Sequence, residues 1–162
     1  MQLVQKLPLV PAQLAALLQP DTILLDLQSS EKLPALRELV MALQHHPALP
    51  RPEAFFRELL ARERNTNTAL GNGLAMPHAR TELCGDIVLA AGRSMAGIDY
   101  AAPDGLPVRL LFMIGTPQGQ LTRYHQLVVG LARMLNRAAN RDRLLAATDA
   151  ADFIRVMAGL RG

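Results

Sequence analysis

The residues with the most chemical potential lie together at 66–80, TNTALGNGLAMPHAR. Pro77 restricts Met76 to an extended conformation, so the run LAMP is expected to finish a strand and leave His78 at its end. Arg80 is alternate to His78, and in an extended chain the two side chains leave the same face. A neutral imidazole beside a guanidinium suits phosphoryl chemistry: a ring nitrogen attacks, and the arginine fork neutralises the oxygens. The other reading is a strand-end histidine that simply satisfies its hydrogen bonds on the backbone. Gly71 and Gly73 flank Asn72 and let the chain turn tightly or approach another group.

Other chemistries lack their residues. GNGLAM misses the third glycine of a dinucleotide fingerprint and no helix follows it; no Gly-Lys-Ser/Thr phosphate loop occurs. No G-x-S-x-G elbow is present, and Cys84 has no base in its local sequence. His45 and His46 end an apparent helix, where polar side chains are common, and no third ligand stands at a metal-binding spacing. No metal and no organic cofactor is therefore expected.

The 162 residues are half apolar and about a fifth charged, which describes one globular domain with a single core. The net charge of +3 is small and aromatic residues are only 4%. The densest basic group, Arg133, Arg137, Arg141 and Arg143, reads as the wet side of helices, not as a nucleic-acid stripe. One cysteine permits no intramolecular disulfide and fits a reducing compartment. Pro8 and Pro11 break the apolar N-terminus, which lacks the marks of a signal peptide, and no apolar run approaches membrane-spanning length. A cytoplasmic protein that reaches any membrane process through a partner is expected.

The elements that must position His78 follow from periodicity. Residues 30–46 predict a helix capped by Ser30, with Leu33, Leu36, Leu39, Val40 and Leu43 on its buried face. A second helix is expected over 52–63, burying Phe55, Phe56, Leu59 and Leu60. Residues 68–76 and 86–91 have strand character, and the near-continuous apolar run 107–115 predicts a central strand covered on both faces. A long helix over 121–137 carries the stripe Leu121, Tyr124, Leu127, Val128, Leu131, Met134 and Leu135. Shorter helices follow near 141–147 and 149–160, the last capped by Thr148 or Asp149. Helices, strands and helices in that order predict an α/β fold with a mixed sheet and helices packed on it.

TALGNGLAMPHAR closely resembles the active-site signature of the phosphotransferase-system IIA components of the fructose/mannitol class, including the nitrogen-regulatory IIA proteins. ELLARERNTNTALGNG, APDGLPVRLLFMIGTP and HQLVVGLARMLNR are similar to that family's lead-in helix, turn with central strand, and following helix. The resemblance spans about 25–157. It implies a mixed sheet sandwiched between helices and a phosphohistidine at His78, supplied by a small histidine-containing phosphocarrier protein. The group then passes to a IIB component or signals to a regulated target. Arg80 is implied as a phosphate-stabilising residue, with Asn72 and Thr68 near the pocket.

Family members often carry a second histidine early in the later helix. Setting Val128, Leu131, Ala132 and Leu135 against that pattern puts Tyr124 at this position, with His125 about 100° further round the helix. Either Tyr124 replaces the histidine with a hydroxyl, or a local shift brings in His125; Tyr124 is also suited to core packing. Loss of the second imidazole and the free-standing chain favour a nitrogen-regulatory protein over a sugar-specific IIA component. A module that regulates by binding alone, without phosphate, is the third expectation.

Overall fold

The structure, a computed structural model, describes residues 7–160. Residues 21–118 make one compact unit, and the described residues before 21 and after 118 make another. The larger unit holds the whole sheet. A 3-10 turn, Pro20–Thr22, leads to β1 (Ile23–Leu24), α2 (Lys32–Met41) and α3 (Pro52–Asn65). There follow β2 (Ala69–Gly71), β3 (Leu74–Ala75), β4 (His78–Arg80), β5 (Val88–Ile98) and β6 (Val108–Thr116). The strand order is β1-β5-β6-β3-β2, with β4 also on β6. β5 runs antiparallel to β6, whereas β1 is parallel to β5 and β3 and β4 are parallel to β6, so the sheet is mixed.

β6 is the centre of this sheet, and its residues from Leu110 to Thr116 are all buried whichever way they alternate. Leu111 and Met113 join Leu36, Leu39, Phe55, Phe56 and Leu59 in one core under α2 and α3. Gly115 belongs to the same side. A β-carbon there would stand 2.7 Å from Cys84 Sγ and Val88 Cγ2 and 2.8 Å from Phe55 Cε1, so the ring of α3 reaches the sheet only because this position is bare.

The smaller unit packs α1 (Pro11–Ala16), α4 (Leu121–Leu135), α5 (Ala138–Ala146) and α6 (Ala150–Met157). Leu127, Leu131, Met134 and Leu135 are the buried stripe of α4. Asp149 caps α6, its side chain accepting from the Asp152 N–H at 2.7 Å. The Leu9 N–H donates to the Gln126 carbonyl at 3.0 Å, tying the segment before α1 to α4.

Several expectations need correction. α2 is shorter than 30–46: Glu31, not Ser30, is its N-cap, and the chain turns through 42–45. Leu33 and Leu121 sit in the first turn of their helices and are exposed. α4 stops at Leu135, short of the expected 137: Asn136 is its C-cap, and Arg137 takes extended dihedrals before α5 begins. The His46 Nδ1 accepts from the Ala48 N–H at 3.1 Å, which gives that ring a local structural partner. α1 and β1 were not foreseen. Among the described residues no helix is long and apolar enough to cross a membrane.

Replacing Gly115 with alanine overpacks the layer between β6 and α3. The Gly115→Ala protein is expected to lose about 1–3 kcal/mol of stability, read as a lower urea midpoint with an unchanged slope; an unchanged midpoint would show that Phe55 gives way freely.

Candidate functional site

β2 and β3 form a hairpin closed by Asn72 and Gly73, both at positive φ (56° and 76°), the pairing that a two-residue hairpin loop demands. β3 then places Leu74 and Ala75 opposite Leu110 and Leu111, and β4 places His78, Ala79 and Arg80 opposite Ile114, Gly115 and Thr116. The offset is the same on both sides of Met76 and Pro77. The proline therefore interrupts the ladder without inserting a residue, and the Pro77 carbonyl still accepts from the Ile114 N–H at 2.9 Å. His78 begins a strand, in contrast to the strand-end position expected of it. Ala79 is buried in the core under α3, and His78 and Arg80, both half-buried, leave the opposite side.

His78 Nδ1 lies 3.0 Å from the Met76 carbonyl oxygen. A carbonyl only accepts, so the neutral ring carries its proton on Nδ1 and its lone pair on Nε2. That backbone bond is the one expected of a structurally held histidine, and it also decides the tautomer of the neutral ring.

His78 opens into a cleft of about 210 Å³ shared with Arg62, Asn65, Thr66 and Thr68. Arg62, in the last turn of α3, was not singled out from the sequence. It stands sixteen positions before the histidine, and only the fold brings a helix end back to the start of β4.

Thr68 is fixed by a buried network. Its N–H and hydroxyl both donate to Glu63 Oε1, at 3.1 and 2.8 Å, and its oxygen lies 3.0 Å from the Tyr100 hydroxyl. Because a carboxylate accepts, the Thr68 proton is committed to Glu63, and Tyr100 donates to Thr68. Burial pushes the Tyr100 phenol well above its ordinary range, which keeps that proton in place. Lys32 Nζ completes the node, 3.0 Å from the same Glu63 oxygen and 4.4 Å above the Tyr100 ring. The Asn67 amide donates to the carbonyls of Tyr100 and Ala101, holding the chain before β2 against the turn after β5.

The remaining candidates fall elsewhere. Asn72 is exposed in the hairpin loop, and its N–H donates to Asp104 Oδ2 at 2.8 Å. That N–H and the one from Leu106 hold the Asp104 carboxyl below the usual range. Arg80 is the register partner of Thr116, a buried residue whose hydroxyl has no hydrogen-bond partner among the described residues. Tyr124 and His125 belong to the other unit, in the first turns of α4; Tyr124 is half-buried, His125 is exposed, and their rings stand 5.6 Å apart. Cys84 is buried, and burial, with the Glu58 carboxylate adding to it, pushes its thiol up to about 11. Among the described residues no group of three or more His, Cys, Asp or Glu could hold a metal ion.

A mixed α/β unit thus presents a histidine held on the backbone through Nδ1, beside a cleft that Arg62 also lines. Residues 16–159 match the family described as phosphoenolpyruvate-dependent sugar phosphotransferase system, EIIA 2, and the chain belongs to that family. It is 36% identical over 105 residues to a nitrogen regulatory protein of Pseudomonas aeruginosa, covering 65% of this chain and 68% of that one. A nitrogen regulatory protein of Bradyrhizobium diazoefficiens is 31% identical over 142 residues, covering 88% and 92%. A fructose-specific EIIABC component of Bacillus subtilis is 34% identical over 135 residues, 83% of this chain but only 21% of that protein. Among solved structures, the nitrogen regulatory protein IIA-Ntr of Neisseria meningitidis superposes with a TM-score of 0.82 at 26% identity, covering 88% of this chain and 97% of that one. The IIA mannitol protein of Escherichia coli shares the fold, with a TM-score of 0.74 at 21% identity.

Two outcomes test this site. Glu63→Ala leaves the buried Thr68 and the part-buried Lys32 without their acceptor and is expected to lower stability by about 3 kcal/mol, measured by urea unfolding; a loss below half that figure would mean water replaces the carboxylate. Cys84 should resist a thiol reagent at pH 8, where about one molecule in a thousand carries thiolate, and react at once in denaturant.

Proposed function

We propose that this chain is a cytoplasmic phosphohistidine carrier of the nitrogen-regulatory type, phosphorylated at His78 Nε2. The observation that carries the reading is the Met76 carbonyl on Nδ1, which leaves the lone pair of the ring at Nε2 in a cleft shared with Arg62. In the proposed step a histidine-containing phosphocarrier protein presents its phosphoimidazole. The new N–P bond forms at Nε2 as the bond to the donor imidazole breaks, and Nδ1 keeps its proton. The Met76 carbonyl then steadies the charge on the phosphorylated ring. Arg62 from the cleft and Arg80 from the same side of β4 are proposed to neutralise the phosphoryl oxygens. Thr68 serves as a held wall of the cleft, since its proton is committed to Glu63. No step requires a metal or an organic cofactor.

The nitrogen-regulatory type is supported by the relatives of that name in Pseudomonas aeruginosa and Bradyrhizobium diazoefficiens and by the likeness to the Neisseria meningitidis protein. Its output is then a phosphorylation-dependent contact with a regulated target. A second reading, a sugar-specific IIA component that feeds a IIB subunit, is supported by the Bacillus subtilis fructose relative. The complex solved for the Escherichia coli mannitol proteins pairs enzyme IIA with phosphorylated enzyme IIB. If Tyr124, and not His125, stands where the family often has a second imidazole, onward transfer is slow, which favours the regulatory reading.

Incubation with phosphoenolpyruvate, the first enzyme of the system and its histidine carrier is expected to add about 80 Da, the mass of one phosphoryl group on a nucleophilic histidine. The gain should be acid-labile and absent from a folded His78→Ala protein. Arg62→Ala should still fold and accept phosphate at least about tenfold more slowly, the loss expected of one charge-assisted contact. Phosphorylation of His78→Ala at a single site would overturn the assignment. No gain with any competent carrier would leave a module that acts by binding alone.

A further inference from the structure

The basic run that the phosphocarrier reading leaves unused has a destination in the fold. Residues 133–143 hold four arginines against Asp142 alone, a local charge of +3 that equals the net charge of the whole chain. Arg141 turns back, its Nη1 donating to the carbonyls of Leu135 and Asn136 at 2.9 and 3.1 Å, and so finishes the C-terminus of α4. The other three do something different. Arg133, Arg137 and Arg143 line one cleft of about 380 Å³ in the helical unit, and no acidic residue lines it with them. Among the described residues none of these three guanidiniums has a hydrogen bond or ion pair. Three like charges therefore share one concavity with no acidic side chain in its lining.

The far wall of the cleft is fixed and apolar. Pro8, Leu9, Val10 and Pro11 form it, with Met134 beside them. The Leu9 N–H is bonded to the Gln126 carbonyl. Gly130 permits this approach: a β-carbon there would collide with the Leu9 carbonyl oxygen. The bare glycine thus holds one wall in place while three arginine forks supply the other.

We propose that this cleft is a second anion site, sharing no residue with the His78 cleft, and that it takes a small organic phosphate ester of nucleotide-monophosphate size. Three guanidiniums match the oxygens of a phosphate with planar, paired donors, which a single carboxylate would not saturate. The proline–leucine–valine wall suits the apolar body of an ester. The volume lies near the lower end of the roughly 300–1,000 Å³ of small-molecule sites.

The test is a titration of the full, isotope-labelled His78→Ala protein, followed by amide NMR, with AMP and with pyrophosphate as named probes. The His78→Ala background removes the phosphoacceptor imidazole, so phosphate drawn to that ring does not contribute. Saturable shifts centred on Gly130, Arg137 and Asn140 are expected with AMP, at an affinity on the order of a millimolar or tighter. The same protein carrying Arg137→Ala and Arg143→Ala should bind at least about tenfold more weakly, the effect of losing two charge-assisted contacts. All three arginines are exposed, so the variants should fold, which an unchanged unfolding midpoint will verify. Absence of saturable shifts with AMP overturns the proposal, as does binding that the two arginine substitutions leave unchanged. Shifts confined to the surroundings of residue 78 also overturn it. Equal affinity for pyrophosphate overturns the ester body, since the apolar wall would then contribute nothing.

Discussion

A proline that interrupts a strand without shifting its register is the constraint on which the site depends. Met76 and Pro77 separate β3 from β4, yet both strands keep one offset against β6. Had a residue been inserted there, every side chain from 78 onward would have exchanged faces. His78 would then point into the core under α3, and Ala79 would take its place. The same break supplies the Met76 carbonyl that meets His78 Nδ1. Register, tautomer and direction of the ring therefore follow from one local event, and β6, buried throughout its central run, makes that event rigid.

The cleft beside the ring is held by a different kind of force. Glu63 is 6% exposed, and a buried carboxylate is costly unless several donors reach it. Here one oxygen receives the Lys32 ammonium and both donors of Thr68, while Tyr100 completes the chain of bonds. The node joins the start of α2, the end of α3, the entry to β2 and the chain just after β5. Arg62 is the residue before Glu63, so the bonds that satisfy the carboxylate also set where the arginine leaves the helix. A cation lining the His78 cleft is in this sense a by-product of a buried acceptor, although burying that acceptor contributes less to stability than apolar residues of the same volume would.

Much of this was legible in the sequence, for reasons that can be named. The run 107–115 announced β6 because a strand covered on both faces has no polar positions to hide. The Asn72-Gly73 turn and the alternation of His78 with Arg80 were legible because they depend on neighbours one or two residues apart. The helix face Leu36, Leu39 and Val40 was also correct, and Leu43 is buried although it lies in the turn past α2; Leu33 and Leu121 were not buried, because a first-turn residue fits the period before the helix has reached the core. α1 escaped notice because six residues that begin at a proline carry too little periodicity, and β1, with two residues, carries none. Arg62 and the Glu63 node escaped because their partners are set by the return of the chain at Thr68 and Tyr100. Local sequence does not encode that return.

The arginines illustrate why charge is harder to read than hydrophobicity. Arg133, Arg137, Arg141 and Arg143 look equivalent as a run, and solvation explains all four equally well. In the fold they divide by what lies within reach. Arg141 finds the unsatisfied carbonyls at the end of α4 and is accounted for by helix termination. The other three find neither carbonyl nor carboxylate, and they share a concavity with a wall that Gly130 alone allows to sit so close. A scattered set of surface cations would maximise separation and water. Three around one cleft stand together instead, with no acidic residue among the lining. The distinction between scattered and clustered cations thus rests on geometry, which the composition of the segment does not contain.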